Sequence, residues 1–362
     1  MKKKHLFIAL VFYIVAILYL AISTPITPHE AKIFFTSEGV VHWLMHAGTI
    51  YVDGFLGLRI LFIPFGLISV YLFYKISQRY FSKKNDAYVA TIIYMFLPGI
   101  LTATSMASIA ILVLPLVLFF VLMYEQKKYI ALPFVMFSLF FIHDASIIFF
   151  IALLIYGFVH KDKLLTISSS AFLLAFLIFT KGIEIGGRPS GHFIEIFGLY
   201  ASVFSPLLFL YFFYAMYRIL LREKKTLLWY VSFTALAFSL LLSIRQRVHL
   251  TDFAPYVMIS IIPMLDIFNK SVRVRLPEFQ KRYKQGFVAV MVLLLISIVL
   301  VIFHQISYKT MTNKKQHFAK NIYSPYYFSK KLNNDDKECY QGFRKREYYQ
   351  LQYYGFLPCD NY

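Results

Sequence analysis

The side chains that could carry chemistry in this chain lie in short connections between long apolar segments. Glu30, within Thr24–Phe35, follows the first of these segments. Pro25 and Pro28 end that segment and hold the chain extended before a new helical pattern begins. An ionisable group between membrane-spanning segments is a candidate functional residue. The alternative is a solvated acid in the first turn of a surface helix, where the helix dipole favours a negative charge.

Arginine and histidine side chains recur on connections predicted to share a side of the membrane with Glu30. The candidates are His29, which precedes Glu30, and Arg59, Arg188, Arg245, Arg247 and His249. Guanidinium groups bind phosphate through paired N–H donors, and a carboxylate can take a proton from a hydroxyl. The set predicts a site for a phosphate-bearing substrate. The alternative for Arg245 and Arg247 is that they extend to the membrane interface.

A metal site has little support in the sequence. His42 and His46 are one helical turn apart, but no carboxylate at a suitable spacing completes a ligand set. The chain also lacks a nucleotide-phosphate loop, a zincin motif and a serine elbow. We therefore predict no metal-binding residues, and the need for a divalent cation as cofactor stays open.

The composition is that of a membrane protein. Of 362 residues, 59% are hydrophobic and only 15% are charged, which excludes a soluble globular domain. The net charge of +19 does not indicate nucleic-acid binding, because the basic residues form short runs between apolar segments. The predicted partners are therefore membrane lipids and not nucleic acid.

The apolar segments predict an all-α polytopic membrane protein. About 20 apolar residues cross the hydrocarbon core as a helix. About eleven segments approach that length: 6–23, 55–75, 87–104, 107–124, 129–143, 145–160, 164–180, 194–218, 227–244, 253–269 and 286–304. We expect residues 1–304 to form one transmembrane domain and residues 305–362 a small external tail.

Charge in the short connections predicts the orientation. Lys and Arg are concentrated in alternate connections, beginning with Lys2–Lys4, so these connections should be cytoplasmic. The first segment lacks a small-residue cleavage site and is interpreted as a retained anchor. An odd number of spans then places the N-terminus in the cytoplasm and the tail outside.

The tail contains the chain's two cysteines, Cys339 and Cys359. In an oxidising compartment they can close a loop of about 20 residues, which stabilises the tail by roughly 3 kcal/mol in the chain-entropy model. Two free thiols in a disordered tail are the alternative. Pairs of tyrosines, such as Tyr353-Tyr354, favour a tail that lies against the membrane interface or an external cleft.

Two motifs resemble the GT-C glycosyltransferases, in particular the branch of protein O-mannosyltransferases and aminoarabinose transferases (glycosyltransferase family 39-like). That branch has Asp-Glu-Ala-Xaa-aromatic in its first outer loop, and this chain has His29-Glu-Ala-Lys-Ile-Phe34. Gly54-Phe-Leu-Gly-Leu-Arg59 is similar to the stretch that opens the second helix of the family. The pattern of Leu72–Phe81 and Ala87–Pro98 is also similar, and the likeness covers about residues 5–125.

The resemblance implies a GT-C-like fold and sugar transfer from a polyprenyl-phosphate donor on the periplasmic face of a bacterial inner membrane. It gives Glu30 the role of base or metal contact and Arg59 a role beside the phosphate. The sequence departs from the family because His29 replaces an aspartate and Ser105–Ser108 replaces a second acidic site. A degenerate homologue that binds lipid-linked sugar without transferring it is one alternative, and a transporter or flippase of lipid-linked or anionic solutes is another.

Overall fold

The computed structural model describes residues 3–179, 192–337, 339–340 and 347–359. The N-terminal part contains α1 (Lys3–Ser23), α2 (Pro28–Thr36), α3 (Val40–Tyr51), α4 (Gly54–Gly57), α5 (Ile63–Tyr80), α6 (Lys84–Met95), α7 (Pro98–Ser105), α8 (Ile109–Glu125), α9 (Ala131–Ile142), α10 (Ile147–His160) and α11 (Lys163–Ile178). Then follow α12 (Phe193–Phe204), α13 (Pro206–Arg222), α14 (Leu227–Arg245), α15 (Leu250–Met258), α16 (Ile261–Val274), α17 (Pro277–Ile302), α18 (His304–Thr310), α19 (Lys320–Asn334) and α20 (Tyr348–Tyr353). Two-residue strands β1 (Cys339–Tyr340) and β2 (Leu357–Pro358) pair in parallel.

The apolar stretches form helices of three kinds. By length and composition, α1, α14 and α17 can each cross a membrane alone. The pairs α6–α7, α12–α13 and α15–α16 pass the same test together but bend by 57°, 107° and 43°, which makes up to six spans in the described chain. The remaining apolar helices, α8 to α11, are shorter. The prediction of an all-α polytopic membrane protein is confirmed. The eleven predicted stretches overlap these helices and α5, but at most six spans pass the test in the described chain, because α8 to α11 are short.

Proline explains two of the bends. Pro98 and Pro206 begin the second helix of their pairs. A proline in the first turn of a helix loses no hydrogen bond there, but its ring interrupts any helix that would continue from before it. The apolar runs therefore stay long in sequence while the helices they form are broken.

The predicted span at 55–75 starts later than expected. Its helix α5 begins at Ile63, and the preceding residues form the one-turn helix α4 and a turn that carries Arg59. Tight packing of α3 on α4 depends on two glycines, because a Cβ on Gly48 would lie 2.2 Å from the Gly57 carbonyl oxygen, and one on Gly57 would lie 1.9 Å from the Val52 carbonyl oxygen. The first residues of the predicted span 55–75 therefore form α4 and the turn after it, and the long helix begins only at Ile63.

The chain forms two compact units. The first contains Met1–Tyr13, Phe65–Ala103 and Ile109–Ile298, and the second contains Ile14–Pro64, Thr104–Ser108 and Val299–Tyr362. The second unit thus groups the C-terminal segment with residues 14–64 and 104–108. Within it, Phe34 and Phe35 of α2 pack against Tyr353 and Tyr349 of α20.

Candidate functional site

The local sequence places Glu30 in the first turn of α2. Thr27 is the N-cap, and Pro28 occupies the first turn. The Glu30 amide donates to Thr27 Oγ1 at 3.2 Å, and the Thr27 amide donates to Glu30 Oε2 at 2.9 Å. This is a capping box, the arrangement that Thr-Xaa-Xaa-Glu favours. Glu30 is thus a first-turn acid, but it is buried rather than solvated.

Arg59 forms a two-pronged ion pair with Glu30. Its Nε donates to Oε1 at 2.9 Å, and its Nη2 donates to Oε2 at 2.8 Å. The Ala107 amide also donates to Oε1 at 2.9 Å. With the bond from Thr27, the carboxylate accepts four hydrogen bonds, which is the capacity of its two oxygens.

The remaining donors of Arg59 hold the end of α1. Nη1 donates to the carbonyl oxygens of Ala21 at 3.0 Å and Thr24 at 2.7 Å, and Nη2 donates to Pro25 at 3.1 Å. The last carbonyls of a helix have no partner within the helix, and a cation is favoured at that end. All five guanidinium N–H groups are therefore bonded within the protein, and the side chain is fully buried.

Electrostatics keep the Glu30 carboxylate ionised. Burial raises the pKa of Glu30, but the charge of Arg59 and the hydrogen bonds from Arg59, Thr27 and Ala107 outweigh burial and lower it below its usual value. A buried pair of this kind is strongly coupled, because removing one partner leaves an uncompensated charge. In this structure the pair fixes three backbone segments and presents neither partner to a substrate.

The C-terminal segment packs on the same loop. The Gln350 side chain is 1% exposed, and its Nε2 donates to the carbonyl oxygens of Ile26 at 2.8 Å and Asn321 at 3.1 Å. Cys339 and Cys359 form a disulfide, with 5.0 Å between their Cα atoms, that brackets α20. Sequence reasoning missed Gln350, which has no local pattern that marks it.

The His42 and His46 rings bond to backbone carbonyls. His42 Nδ1 lies 3.2 Å from the Ile33 oxygen, and His46 Nε2 lies 3.1 Å from the Phe34 oxygen. Both carbonyls belong to the last turn of α2, so the two histidines satisfy part of that helix end. His29 lies on the exposed side of α2 next to Glu30.

The other predicted cations lie in the first unit or outside the described residues. Arg245 is the last residue of α14, and His249 occupies the N-cap position of α15 without a capping hydrogen bond from its side chain. Arg247 Nε lies 3.2 Å from Glu195 Oε2, but its side chain is 75% exposed, which makes this a weak surface pair. Arg188 lies outside the described residues.

A histidine–carboxylate pair in the first unit was not predicted. His143, between α9 and α10, places Nε2 at 3.4 Å from Asp252 Oδ1 in the first turn of α15. The His143 side chain is 9% exposed and that of Asp252 is 33% exposed. Within the described chain, the buried His143 Nδ1 has no hydrogen-bond partner. His143 and Asp252 are polar residues between apolar stretches, but they are 109 residues apart, and no pattern of neighbouring residues indicates that their side chains are in contact.

Comparisons with known proteins identify the fold. No protein-family model matches the sequence, and no curated protein matches it. The crystal structure of ArnT from Cupriavidus metallidurans in the apo state matches with a TM-score of 0.59 at 13% sequence identity, covering 98% of this chain and 84% of that chain. The resemblance inferred from the first outer loop is thereby confirmed at the level of fold, and the chain is a polytopic membrane protein that shares the fold of this ArnT structure.

Proposed function

We propose that this protein is a membrane glycosyltransferase that moves a sugar from a polyprenyl-phosphate donor to an acceptor on the periplasmic face of a bacterial inner membrane. The observation that carries the proposal is the ArnT-like fold over 98% of the chain. The Glu-Ala motif and Arg59 support it, because they stand where the resemblance expects the acidic motif of the first loop and the arginine that opens the second helix. The placement of the N-terminus in the cytoplasm and the tail in the periplasm is inferred from the distribution of Lys and Arg.

The proposed reaction is an inverting displacement. An acceptor hydroxyl oxygen forms a bond to the anomeric carbon, the bond from that carbon to the phosphate oxygen breaks, and polyprenyl phosphate leaves. The hydroxyl proton passes to a protein base, which contributes about 10²–10⁴ in rate in typical enzymes. Arg59, Arg188, Arg245, Arg247, His249 and His29 are the proposed partners of the donor.

Two residues are proposed as the base, and they differ in availability. Glu30 is the residue that the resemblance assigns, but it accepts no proton until one of its four hydrogen bonds is exchanged for a substrate contact. His143 Nδ1 has no hydrogen bond to exchange within the described chain, but it is buried and must become accessible to the acceptor hydroxyl; Asp252 can then stabilise the imidazolium that forms. If the phosphate of the sugar donor bound Arg59 in place of Glu30, the Glu30 carboxylate would become available as the base.

The saturated Glu30 carboxylate favours a second candidate function, in which the protein binds a lipid-linked sugar without transferring it. A carboxylate that only holds a loop needs no access to substrate. A purified protein in nanodiscs, mixed with a polyprenyl-phosphate sugar and candidate acceptors, separates the two. Release of polyprenyl phosphate that depends on acceptor supports transfer, whereas saturable donor binding with no release supports the second candidate.

A further inference from the structure

A groove in the first unit lies apart from every residue assigned above. It has a volume of about 360 Å³, and its walls come from α13, α16 and α17. The deep wall is apolar and includes Leu208, Met264 and Leu265, which are 1–3% exposed. Volumes of this size are typical of sites that hold small molecules.

Aromatic rings and one glycine shape the groove. Phe268 and Phe287 stack with 4.6 Å between their ring centroids. Beside them, Gly286 has open space where a side chain would project, because a Cβ there would meet no atom within 4 Å. The groove is therefore lined by stacked rings and has free space beside Gly286 of α17.

The end of the groove nearest the start of α17 is cationic. Arg282 and Tyr283 line it, and the Arg275 guanidinium lies 3.7 Å from the Tyr283 ring centroid. Lys281 and Lys284 are exposed on the same turns of α17. An anion entering here would meet several positive charges beside an apolar channel.

Three acidic residues of the surrounding chain are already paired with other cations, and Glu278, exposed in the first turn of α17, forms no ion pair with Lys281 or Arg282 in the described residues. Asp266 bonds to Lys270 at 2.8 Å, and Asp86 bonds to Arg273 at 2.8 Å. Glu223 lies 3.6 Å from Lys270. Among the described residues, no carboxylate lies within 4.0 Å of a charged nitrogen of Lys281, Arg282 or Lys284. The positive charge at the end of the groove is thus left for a ligand.

We propose that this groove binds an anionic phospholipid, with one acyl chain along the apolar wall and the phosphate beside Arg282. The chemistry of both ends fits this ligand, because α17 is long and apolar enough to cross a membrane and basic clusters next to such helices attract anionic lipids. The proposal does not depend on the proposed function, since none of its residues belongs to the Glu30 or His143 pair.

Lipid retention by the purified full-length protein tests the proposal. Native mass spectrometry compares phosphatidylglycerol with phosphatidylcholine of identical acyl chains. We expect preferential retention of phosphatidylglycerol, and a loss of about fivefold in that preference in Arg282→Ala, because one basic residue near an anionic lipid contributes roughly that much. Lys84→Ala, a cation at the start of α6, should keep the preference.

Filling the groove tests the acyl chain separately. Gly286→Leu should abolish retention of both lipids at this site, whereas Gly198→Leu in α12, where a Cβ also meets no atom within 4 Å, should not. Equal loss in the two variants would overturn the proposal. Equal retention of the two phospholipids would also overturn it, as would full displacement of phosphatidylglycerol by soluble glycerol 3-phosphate, because a headgroup alone would then suffice.

Discussion

The Glu30–Arg59 pair and the His143–Asp252 pair differ in how completely their polar atoms are bonded. Glu30 and Arg59 have 1% and 0% exposed side chains, and their donors and acceptors are all used. The His143–Asp252 contact is 3.4 Å long, Asp252 is one-third exposed, and His143 Nδ1 has no partner within the described residues. The first arrangement suits holding a backbone in place, and the second leaves a buried ring nitrogen without a hydrogen bond.

Glu30 would be chosen as the catalytic base from its burial and from its place in the first-loop motif. The difference in hydrogen bonding between the two pairs argues against that choice. A buried charge with every bond satisfied contributes chiefly to the structure around it. A base must keep one acceptor position for the substrate proton. The two pairs can therefore be told apart by whether a substitution lowers stability or slows the reaction.

The largest expected effect is on stability in Arg59→Leu. The substitution leaves the Glu30 carboxylate uncompensated and removes the donors to Ala21, Thr24 and Pro25. Loss of one partner of a buried pair costs about 3–5 kcal/mol. Thermal unfolding in detergent measures the loss.

Arg247→Leu is the matched control for Arg59→Leu, because it breaks an Arg–Glu pair whose arginine is 75% exposed. Its cost should stay within about 1 kcal/mol. Similar unfolding temperatures for the two variants would show that the buried pair does not hold the first loop.

The next effect is on rate, in His143→Gln. If His143 is the base, transfer slows by about 100-fold, within the range for one acid–base group, while the unfolding temperature changes little. Glu30→Gln should give the opposite pattern, with lower stability accompanying any loss of rate. A Glu30→Gln protein that melts like the wild type but transfers no sugar would return the role of base to Glu30.

The apolar helices and the place of Glu30 near the start of a helix could be predicted, because each depends on neighbouring residues, whereas the number of spans could not. Apolar runs indicate helices, and Thr27 with Glu30 indicates a helix start within four positions. The pairing of Glu30 with Arg59 could not be predicted, because it depends on α1 ending where its carbonyls meet a turn 29 residues after Glu30. Asp252 and His143 are 109 residues apart, and no local rule sets that distance. The bends and the late start of α5 likewise depend on prolines and glycine contacts that the hydrophobic pattern does not register.

Acid should weaken the first pair through Glu30. Because the pKa of Glu30 in the folded protein is lower than its usual value of 4.5, the folded state binds this proton more weakly than the unfolded state. The ion pair stabilises the fold fully when the pH is above the usual pKa of Glu30. This stabilisation is lost as the pH falls through the lower pKa that Glu30 has in the folded protein. Unfolding temperatures measured from pH 7 downward should fall more steeply for the wild type than for Glu30→Gln, and parallel curves would contradict the ion pair.

The smallest expected effect is local and concerns the helix that packs on the loop. Gln350→Leu removes the donors to the carbonyls of Ile26 and Asn321 while keeping a side chain of similar size. A buried carbonyl left without a partner costs about 1–3 kcal/mol. Hydrogen exchange followed by mass spectrometry should show faster exchange in residues 24–35 of this variant.

Gln352→Leu, in the same helix, is the control and should leave that exchange unchanged, because Gln352 makes no hydrogen bond to Ile26 in the described structure. If residues 24–35 exchange equally slowly in both variants, the Gln350 hydrogen bonds do not contribute to holding this loop.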